Sequence, residues 1–475
     1  MARERDQIPT GKVSRATSTG AALGPSSAKL AGSLIANLAR SPERAREILG
    51  ERHVDLADQA VAVLGSLRGG AMKIGQLASF VDVEFLPPEF REIYQERLGQ
   101  LCDAAPAMSW EKVRDVLERE WEAPIESLAE IEPYAVAAAS IGQVHRGVLA
   151  DGRRVAIKVQ YPEIADALVA DLDLASVAIR LGKALAPGLD PELVAAELRE
   201  RVLEELDFEL EAQQQRTFAR AYRGHPFIYV PQVVSALSRR RVLVSEWVEG
   251  RRFEDILRLD QEQRDRVGEI LVRFFLGSGA RVGRFNTDPH PGNYLLLEDG
   301  RMAFLDFGNT AEVTEEGLEL FRRALLAAIE GDPERFTSTA AELGYVRDGG
   351  QINRRALLAQ ALVVGDWYLR DRELRIDPEY VGAIVEKLID PRAMEGALRL
   401  MRQLKLPPEE IWLRRVETSV LAVLGRLHAK RNWHRIMREL QLGGEPATEL
   451  GEREADFWRA RSRVRRRPAR ERLRS

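Results

Sequence analysis

Cysteine is almost missing from this chain. The single thiol, Cys102, among 475 residues cannot close an intramolecular disulfide. It fits a reducing compartment and reads most simply as a small buried apolar side chain. No run of about 18 uncharged apolar residues occurs, so no membrane span is expected. The N-terminus is basic but has no signal-type apolar core followed by a cleavage site. There is no charge excess either: 70 Lys+Arg against 74 Asp+Glu leave a formal net charge of -4, which gives no support to a specific nucleic-acid partner. No internal repeat at a period of roughly 20 to 50 residues is visible. What the chain does have is core-forming material. Its residues are 45% hydrophobic, and its length suits two or three domains.

The organising stretch is Phe285–Gly308, FNTDPHPGNYLLLEDGRMAFLDFG. Asp288 and Asn293 stand in the spacing D-x-x-x-x-N. Two short apolar runs, Tyr294–Leu297 and Met302–Leu305, flank the turn Glu298-Asp299-Gly300. They predict a hairpin that returns Asp306-Phe307-Gly308 to the end that holds Asp288 and Asn293. Carboxylate and amide oxygens brought to one point suit Mg²⁺, which takes hard oxygen ligands and leaves positions for phosphate. The order resembles the catalytic and metal loops of protein kinases. There an Asp faces the substrate hydroxyl, and an Asn and a second Asp hold the metal.

Upstream, Asp151-Gly152 is a hairpin turn between Ile141–Leu149 and Arg153–Gln160, and the second run carries Val155-Ala156-Ile157-Lys158. This reads as the opening of a kinase small lobe, with Lys158 as the phosphate lysine. The glycine-rich phosphate loop is missing. Ala137-Ala138-Ala139-Ser140 occupies the equivalent turn, and each Cβ keeps the backbone further from a phosphate than glycine would. Helices are predicted over Ser109–Trp121, Pro162–Leu185 and Pro191–Phe218. The last carries Glu204, Glu205, Asp207, Glu209 and Glu211, of which a kinase needs one to pair with its lysine. Strands are predicted over Tyr229–Ala236 and Arg241–Trp247. The latter leads into a hinge, Ser245–Gly250, that contains Glu246 and Val248. After Gly308 the chain enters the helix Thr314–Glu330, with no A-P-E and no room for a long activation segment.

Nearer the N-terminus, Val54–Val81 is a long helical pattern interrupted by Gly69, Gly70 and Gly75. Glycine within a helix costs about 1 kcal/mol against alanine, which suggests close approach to something. Lys73 and Gln76 share one face of it. From spacing alone they are as well explained by a solvated surface.

These motifs together resemble the UbiB family of atypical kinase-like proteins, associated with ubiquinone biosynthesis and lipid homeostasis. The resemblance covers roughly residues 50 to 440 and rests on Lys73-x-Gly75-Gln76, Ala137–Ser140 continuing Ile141-Gly142-Gln143-Val144-His145, Val155–Lys158, Glu205-x-Asp207, Asp288–Asn293 and Asp306–Gly308. It implies an α+β, bilobal protein-kinase-like fold with an all-helical N-terminal extension. The expected regions are a disordered N-terminus at 1–27, the helical extension at 28–130, an N-lobe at 131–250, a helical C-lobe at 251–440 and a basic tail at 441–475.

The resemblance also implies roles. Lys158 contacts nucleotide phosphates and pairs with Glu211, and the alanine-rich segment tunes nucleotide preference. The Lys73 helix folds over the cleft, with Lys73 and Gln76 near Glu205 and Asp207 as regulatory residues. Asp288 holds the general-base position. Asn293 and Asp306 bind Mg²⁺, with ATP or ADP as the nucleotide, and His290 belongs to the loop scaffold. Asn286 stands where many relatives have histidine, a departure that concerns the loop's supporting hydrogen bonds rather than the metal ligands. C-terminal membrane helices of the family type are absent, so a cytoplasmic protein, peripheral at the inner face of a membrane, is expected. Its partners would be an anionic membrane or isoprenoid lipid and quinone-biosynthesis proteins. The first functional reading is an ATP-dependent kinase or ATPase. The alternatives are a non-catalytic nucleotide-binding regulator and a small-metabolite kinase.

The last stretch concentrates arginine at 459, 461, 463, 465, 466, 467, 470, 472 and 474. Each basic residue near an anionic bilayer contributes about 1 kcal/mol of attraction, so this segment is expected to act as a membrane-seeking tail, with a solvated tail or one that binds nucleic acid non-specifically as the equal alternative.

Overall fold

The computed structural model describes residues 108–139, 141–162, 203–346, 352–389 and 408–466, with isolated residues between these ranges. Lys73, Gln76, Cys102 and Ser140 lie outside them, as do the arginines from 467 onward.

The N-lobe is a five-stranded antiparallel sheet. β1 (Ala129–Ile131), β2 (Ala137–Ala139), β3 (Gly142–Leu149) and β4 (Arg154–Gln160) follow one another in sequence. β3 pairs with β1, β2 and β4, and β4 pairs with β6 (Val242–Glu246). On β4, Val155, Ile157 and Val159 are buried and alternate with Arg154, Ala156 and Lys158, so one face is core and the other faces the cleft. The core face is covered by α1 (Trp110–Trp121), whose Val113, Val116, Leu117 and Trp121 join those three valine and isoleucine positions in one cluster. The helix predicted from Ser109 is therefore part of the sheet's own packing. Of the expected helical extension at 28–130, the described part carries α1 and a 3-10 turn at Ile125–Ser127, and β1 begins at Ala129, which pairs with Leu149.

Two further expectations are corrected here. Ala137–Ala139 is a strand and not a turn, in register with Val144, Gln143 and Gly142. The glycine required by close packing is Gly142, where a Cβ would lie 2.1 Å from the Val159 carbonyl oxygen. The helix predicted over Pro191–Phe218 breaks at Leu206-Asp207, and α2 (Phe208–Ala221) begins anew. Asp207 caps it, its Oδ1 accepting from the N–H groups of Glu209 and Leu210 at 2.9 and 3.2 Å.

β5 (Ile228–Tyr229) is shorter than the predicted Tyr229–Ala236 and pairs in parallel with β9 (Met302–Phe304), which also pairs with β8 (Tyr294–Leu296). The β8–β9 hairpin forms where the turn signal placed it, with Gly300 at φ +80°. The C-lobe is helical: α3 (Phe253–Ile256), α4 (Gln261–Phe275), α5 (Ser278–Val282), α6 (Glu315–Glu330), α7 (Pro333–Glu342), α8 (Arg354–Val364), α9 (Asp366–Leu369), α10 (Pro378–Ile389), α11 (Pro408–Leu427), α12 (Trp433–Leu442) and α13 (Glu449–Arg466). β7 (Arg284–Asn286) pairs with β10 (Thr310–Glu312), and β11 (Leu374–Arg375) with β12 (Lys430–Arg431). α4 is the lobe's axle. Val267, Ile270, Leu271, Phe274 and Phe275 are all buried in the large cluster that also takes Phe304, Leu424 and Trp433. No helix among the described residues is long and apolar enough to cross a membrane.

The final region is not a free tail as far as residue 462. On α13, Leu450 and Glu454 are buried in the C-lobe, and Trp458 packs against the large cluster. Two of the arginines ascribed to membrane contact are engaged inside the chain, Arg459 with Asp456 at 2.9 Å and Arg461 with backbone carbonyls of the 220–223 turn.

Candidate active site

Lys158 points from the polar face of β4 into the space between the lobes. Its Nζ lies 3.0 and 2.9 Å from the two carboxylate oxygens of Glu211 and 3.2 Å from Oδ2 of Asp306. The Phe208 ring sits 4.9 Å beneath it. Burial disfavours the ammonium, but Asp306 and Glu211 outweigh that and hold it charged, with its pKa raised. Burial likewise pushes the Glu211 carboxyl up, and the Lys158 charge works against it. The break at Asp207 sets this geometry, because it puts Glu211 in the first turn of a helix aimed at the cleft.

On the C-lobe side, Asn293 Nδ2 donates to Asp288 Oδ2 at 2.7 Å, which leaves the amide oxygen of Asn293 as the group a cation would use. Asp306 follows β9 and accepts from the Gly308 N–H at 3.0 Å. Burial opposes its ionisation, but Lys158 and that N–H hold its pKa below the usual carboxylate value. Phe307 is fully buried against Phe218 of α2, with ring centroids 5.0 Å apart. His290 accepts from the Gly292 N–H within its own loop. Asn286 does the bridging work between the two loops: its Nδ2 donates to the Asp306 carbonyl at 2.7 Å and its Oδ1 accepts from the Asp288 N–H at 3.0 Å. Asn286 thus ties the Asp288 loop to the Asp306 loop.

Three contributions escaped the sequence reading. Arg415 of α11 reaches Asp288, Nη2 to Oδ1 at 3.6 Å. Asn309 donates to Glu205 Oε1 at 3.3 Å, and Thr287 donates to Asn309 Oδ1 at 3.0 Å. Nothing local to Arg415 marks it, since α11 lies more than a hundred residues beyond Asp288 in the chain; Asn309, directly after the Asp306-Phe307-Gly308 turn, was the readable one. Glu205 is pushed up to about 7 by burial, with the Asp306 and Asp288 charges adding to it. Asp207 turns away to cap α2. At the hinge, the Glu246 carboxylate is occupied by the Tyr229 hydroxyl at 2.5 Å and the Gln232 N–H at 3.3 Å. A base docking beside Glu246 and Val248 would therefore meet backbone rather than that side chain.

A divalent cation fits this set. Asp306 and Asp288 stand close enough to Glu205 to add to its upward shift, and a metal beside Asp306 and Asn293 would offset that repulsion. Among the described residues no three carboxylate or imidazole side chains close on one point, so phosphate oxygens and water would complete the shell.

Residues 100–340 match the ABC1 atypical kinase-like domain. The chain is 28% identical over 363 residues to the atypical kinase coq-8, mitochondrial, of Caenorhabditis elegans, covering 75% of this chain and 47% of that one. It is 29% identical over 377 residues to the atypical kinase COQ8B, mitochondrial, of Rattus norvegicus, covering 78% and 69%. The chain thus spans about half of the first relative and about two-thirds of the second. A solved structure of Rv3197 from Mycobacterium tuberculosis in complex with erythromycin superposes with a TM-score of 0.60 at 34% identity, covering 84% of this chain and 98% of that one.

Proposed function

We propose a function from this premise: the chain belongs to the ABC1 atypical kinase-like family. It binds a magnesium–nucleotide complex between its lobes and transfers the terminal phosphoryl group of ATP to an acceptor in ubiquinone or other isoprenoid-lipid metabolism, or to water. The observation that carries this is Lys158 held between Glu211 and Asp306 at 2.9 to 3.2 Å, the arrangement a phosphate-binding lysine needs. Lys158 neutralises the phosphates. Asn293 and Asp306 would hold the magnesium, which would supply positive charge at the phosphoryl oxygens. Asp288 orients the acceptor hydroxyl and takes its proton, and Asn293 and Arg415 fix its carboxylate. Ala137–Ala139, a strand without glycine, lies over the phosphates and sets the choice between ATP and ADP.

That strand also favours the second reading, a regulator that binds nucleotide without turnover, because a Cβ at each position holds the backbone off the phosphates. The relative solved with erythromycin keeps a small-metabolite acceptor in view. One pair of measurements separates these. Asp306→Asn should abolish magnesium-dependent thermal stabilisation by nucleotide, and retained stabilisation would place the metal elsewhere. Turnover of radiolabelled ATP by the wild-type chain, with and without anionic liposomes, should exceed that of Asp288→Asn at least a hundredfold, within the range typical of general-base catalysis. Equal rates would leave the regulator reading.

A further inference from the structure

α2 is held at both ends. Its first turn presents Glu211 to Lys158, and its last turn presents Phe218 to Phe307 and is gripped by α13. Arg461 of α13 donates through Nη2 to the Arg220 carbonyl at 2.7 Å and through Nη1 to the Arg223 carbonyl at 3.2 Å. These lie at the end of α2, where helical carbonyls lack partners and the helix dipole favours a cation. Around this grip, Arg453 donates to the Pro226 carbonyl at 3.3 Å, Phe457 packs edge-on to His225 at 4.7 Å, and Trp458 packs edge-on to Tyr222 at 5.8 Å.

The other side of α13 is anchored in the C-lobe. Glu454 binds the buried Arg273 of α4 at 2.9 Å. At Gly451 a Cβ would lie 2.6 Å from Glu439 Oε2, so the helix sits closer than any side chain would allow. α13 therefore joins the rigid axle of the C-lobe to the far end of the helix that carries Glu211. Nine residues of α-helix separate Glu211 from Arg220, roughly 14 Å. A helix of that length moves as a rod, so a shift at its last turn is delivered to its first.

We propose that α13 is a positioning element for the nucleotide site: Arg461 and Trp458 set the register of α2, and through it the distance between Glu211 and Lys158. The proposal rests on the nucleotide reading above only for its consequence in binding. Its mechanical part stands on the contacts of α2 alone. It assigns the arginine-bearing C-terminal segment a target inside the chain.

The test uses the full chain, with Arg461→Ala, Arg461→Lys and the control Arg459→Ala, whose ion pair stays within α13. Hydrogen exchange is read separately over residues 208–213, 218–226 and 261–275, with Mg·ATP affinity and the urea midpoint alongside. Arg461→Ala should speed exchange over both 208–213 and 218–226. It should weaken Mg·ATP binding about fivefold, at the low end of the range for coupled sites, with 261–275 and the midpoint unchanged. Lysine should restore part of the loss, since an ammonium can meet one carbonyl at a time, and Arg459→Ala should change nothing. Faster exchange confined to 218–226 with unchanged affinity would reduce Arg461 to a helix cap and overturn the proposal, as would a uniform rise in both lobes. If the wild-type chain binds no Mg·ATP, the functional reading fails by itself, and exchange over 208–213 still decides the role of α13.

Discussion

Lys158 and Arg273 each sit in a cluster of four acids and two cations, and the two clusters are finished differently. In the C-lobe, Arg273 and Arg431 face Asp265, Glu269, Glu439 and Glu454. Each of these carboxylates takes further donors: the Thr448 hydroxyl on Glu269, the Ala447 N–H on Glu439, the Trp458 indole on Glu454, and the Gln261 amide and Lys430 N–H on Asp265. In the cleft, Lys158 and Arg415 face Glu211, Asp306, Asp288 and Glu205. There Arg415 stands 3.6 Å from Asp288, and Glu205 is pushed up to about 7. The charge sums match, so charge alone does not separate scaffold from site. Cation contact does: each acid of the C-lobe cluster has a guanidinium within 3.3 Å, whereas Asp288 has its guanidinium at 3.6 Å and Glu205 takes the neutral Asn309 amide. A buried cluster in which every acid is closely paired rigidifies a fold, and one whose acids lack close cations stores free energy that an added cation releases.

Three measurements bear on that contrast. The largest effect is expected at the closed cluster. Arg273→Leu strands three buried glutamates and should cost about 3 to 5 kcal/mol in urea unfolding; a loss below about 1 kcal/mol would dissolve the distinction. A smaller effect of opposite sign is expected in the cleft. The Glu205 carboxyl lies at about 7 in the folded chain against its ordinary 4.5, so the folded state binds that proton more tightly than the unfolded state. Stability contributed by this group is therefore greatest below about 4.5, declines as pH rises towards 7, and is at its minimum above that. Glu205→Gln, measured in chelator, should stabilise the protein by about 2 kcal/mol at pH 8 and by almost nothing at pH 4. A pH-independent difference would mean the acid is well solvated. The smallest effect is at the surface. Arg323 makes a bidentate pair with Glu342 that is close to half exposed on both sides, and Arg323→Ala should leave the urea midpoint unmoved. A clear shift there would show that geometry, not burial, sets the worth of ion pairs in this fold.

How much of this the sequence disclosed depends on whether the signal was local. The β8–β9 hairpin was legible because its turn and its two apolar runs lie within fifteen residues, and the β3–β4 hairpin because Asp151-Gly152 declares it. The break at Asp207 was missed. The acids on both sides read as one continuous helical face, although Asp followed by an acidic first turn is itself an N-cap signal. The docking of α13 was hidden by its arginines. Leu450, Glu454, Trp458 and Arg461 lie on one helical stripe, which period analysis would have shown had composition not been read first. Arg415 had no local signal of any kind, because only the packing of α11 brings it to Asp288.

The Arg273 cluster also sets a timetable. Arg273 lies on α4, but two of its partners, Glu439 and Glu454, follow it by 166 and 181 residues. At synthesis rates of about 5 to 20 residues per second, the guanidinium waits on the order of 10 to 40 s for its last carboxylate. Until then the centre of the C-lobe cannot be sealed without burying an unanswered charge. Contacts so distant in sequence close late in folding, so the nascent lobe stays open to chaperones and proteases for that interval. A ribosome-bound chain should become resistant to protease near residue 273 only after residue 454 has emerged.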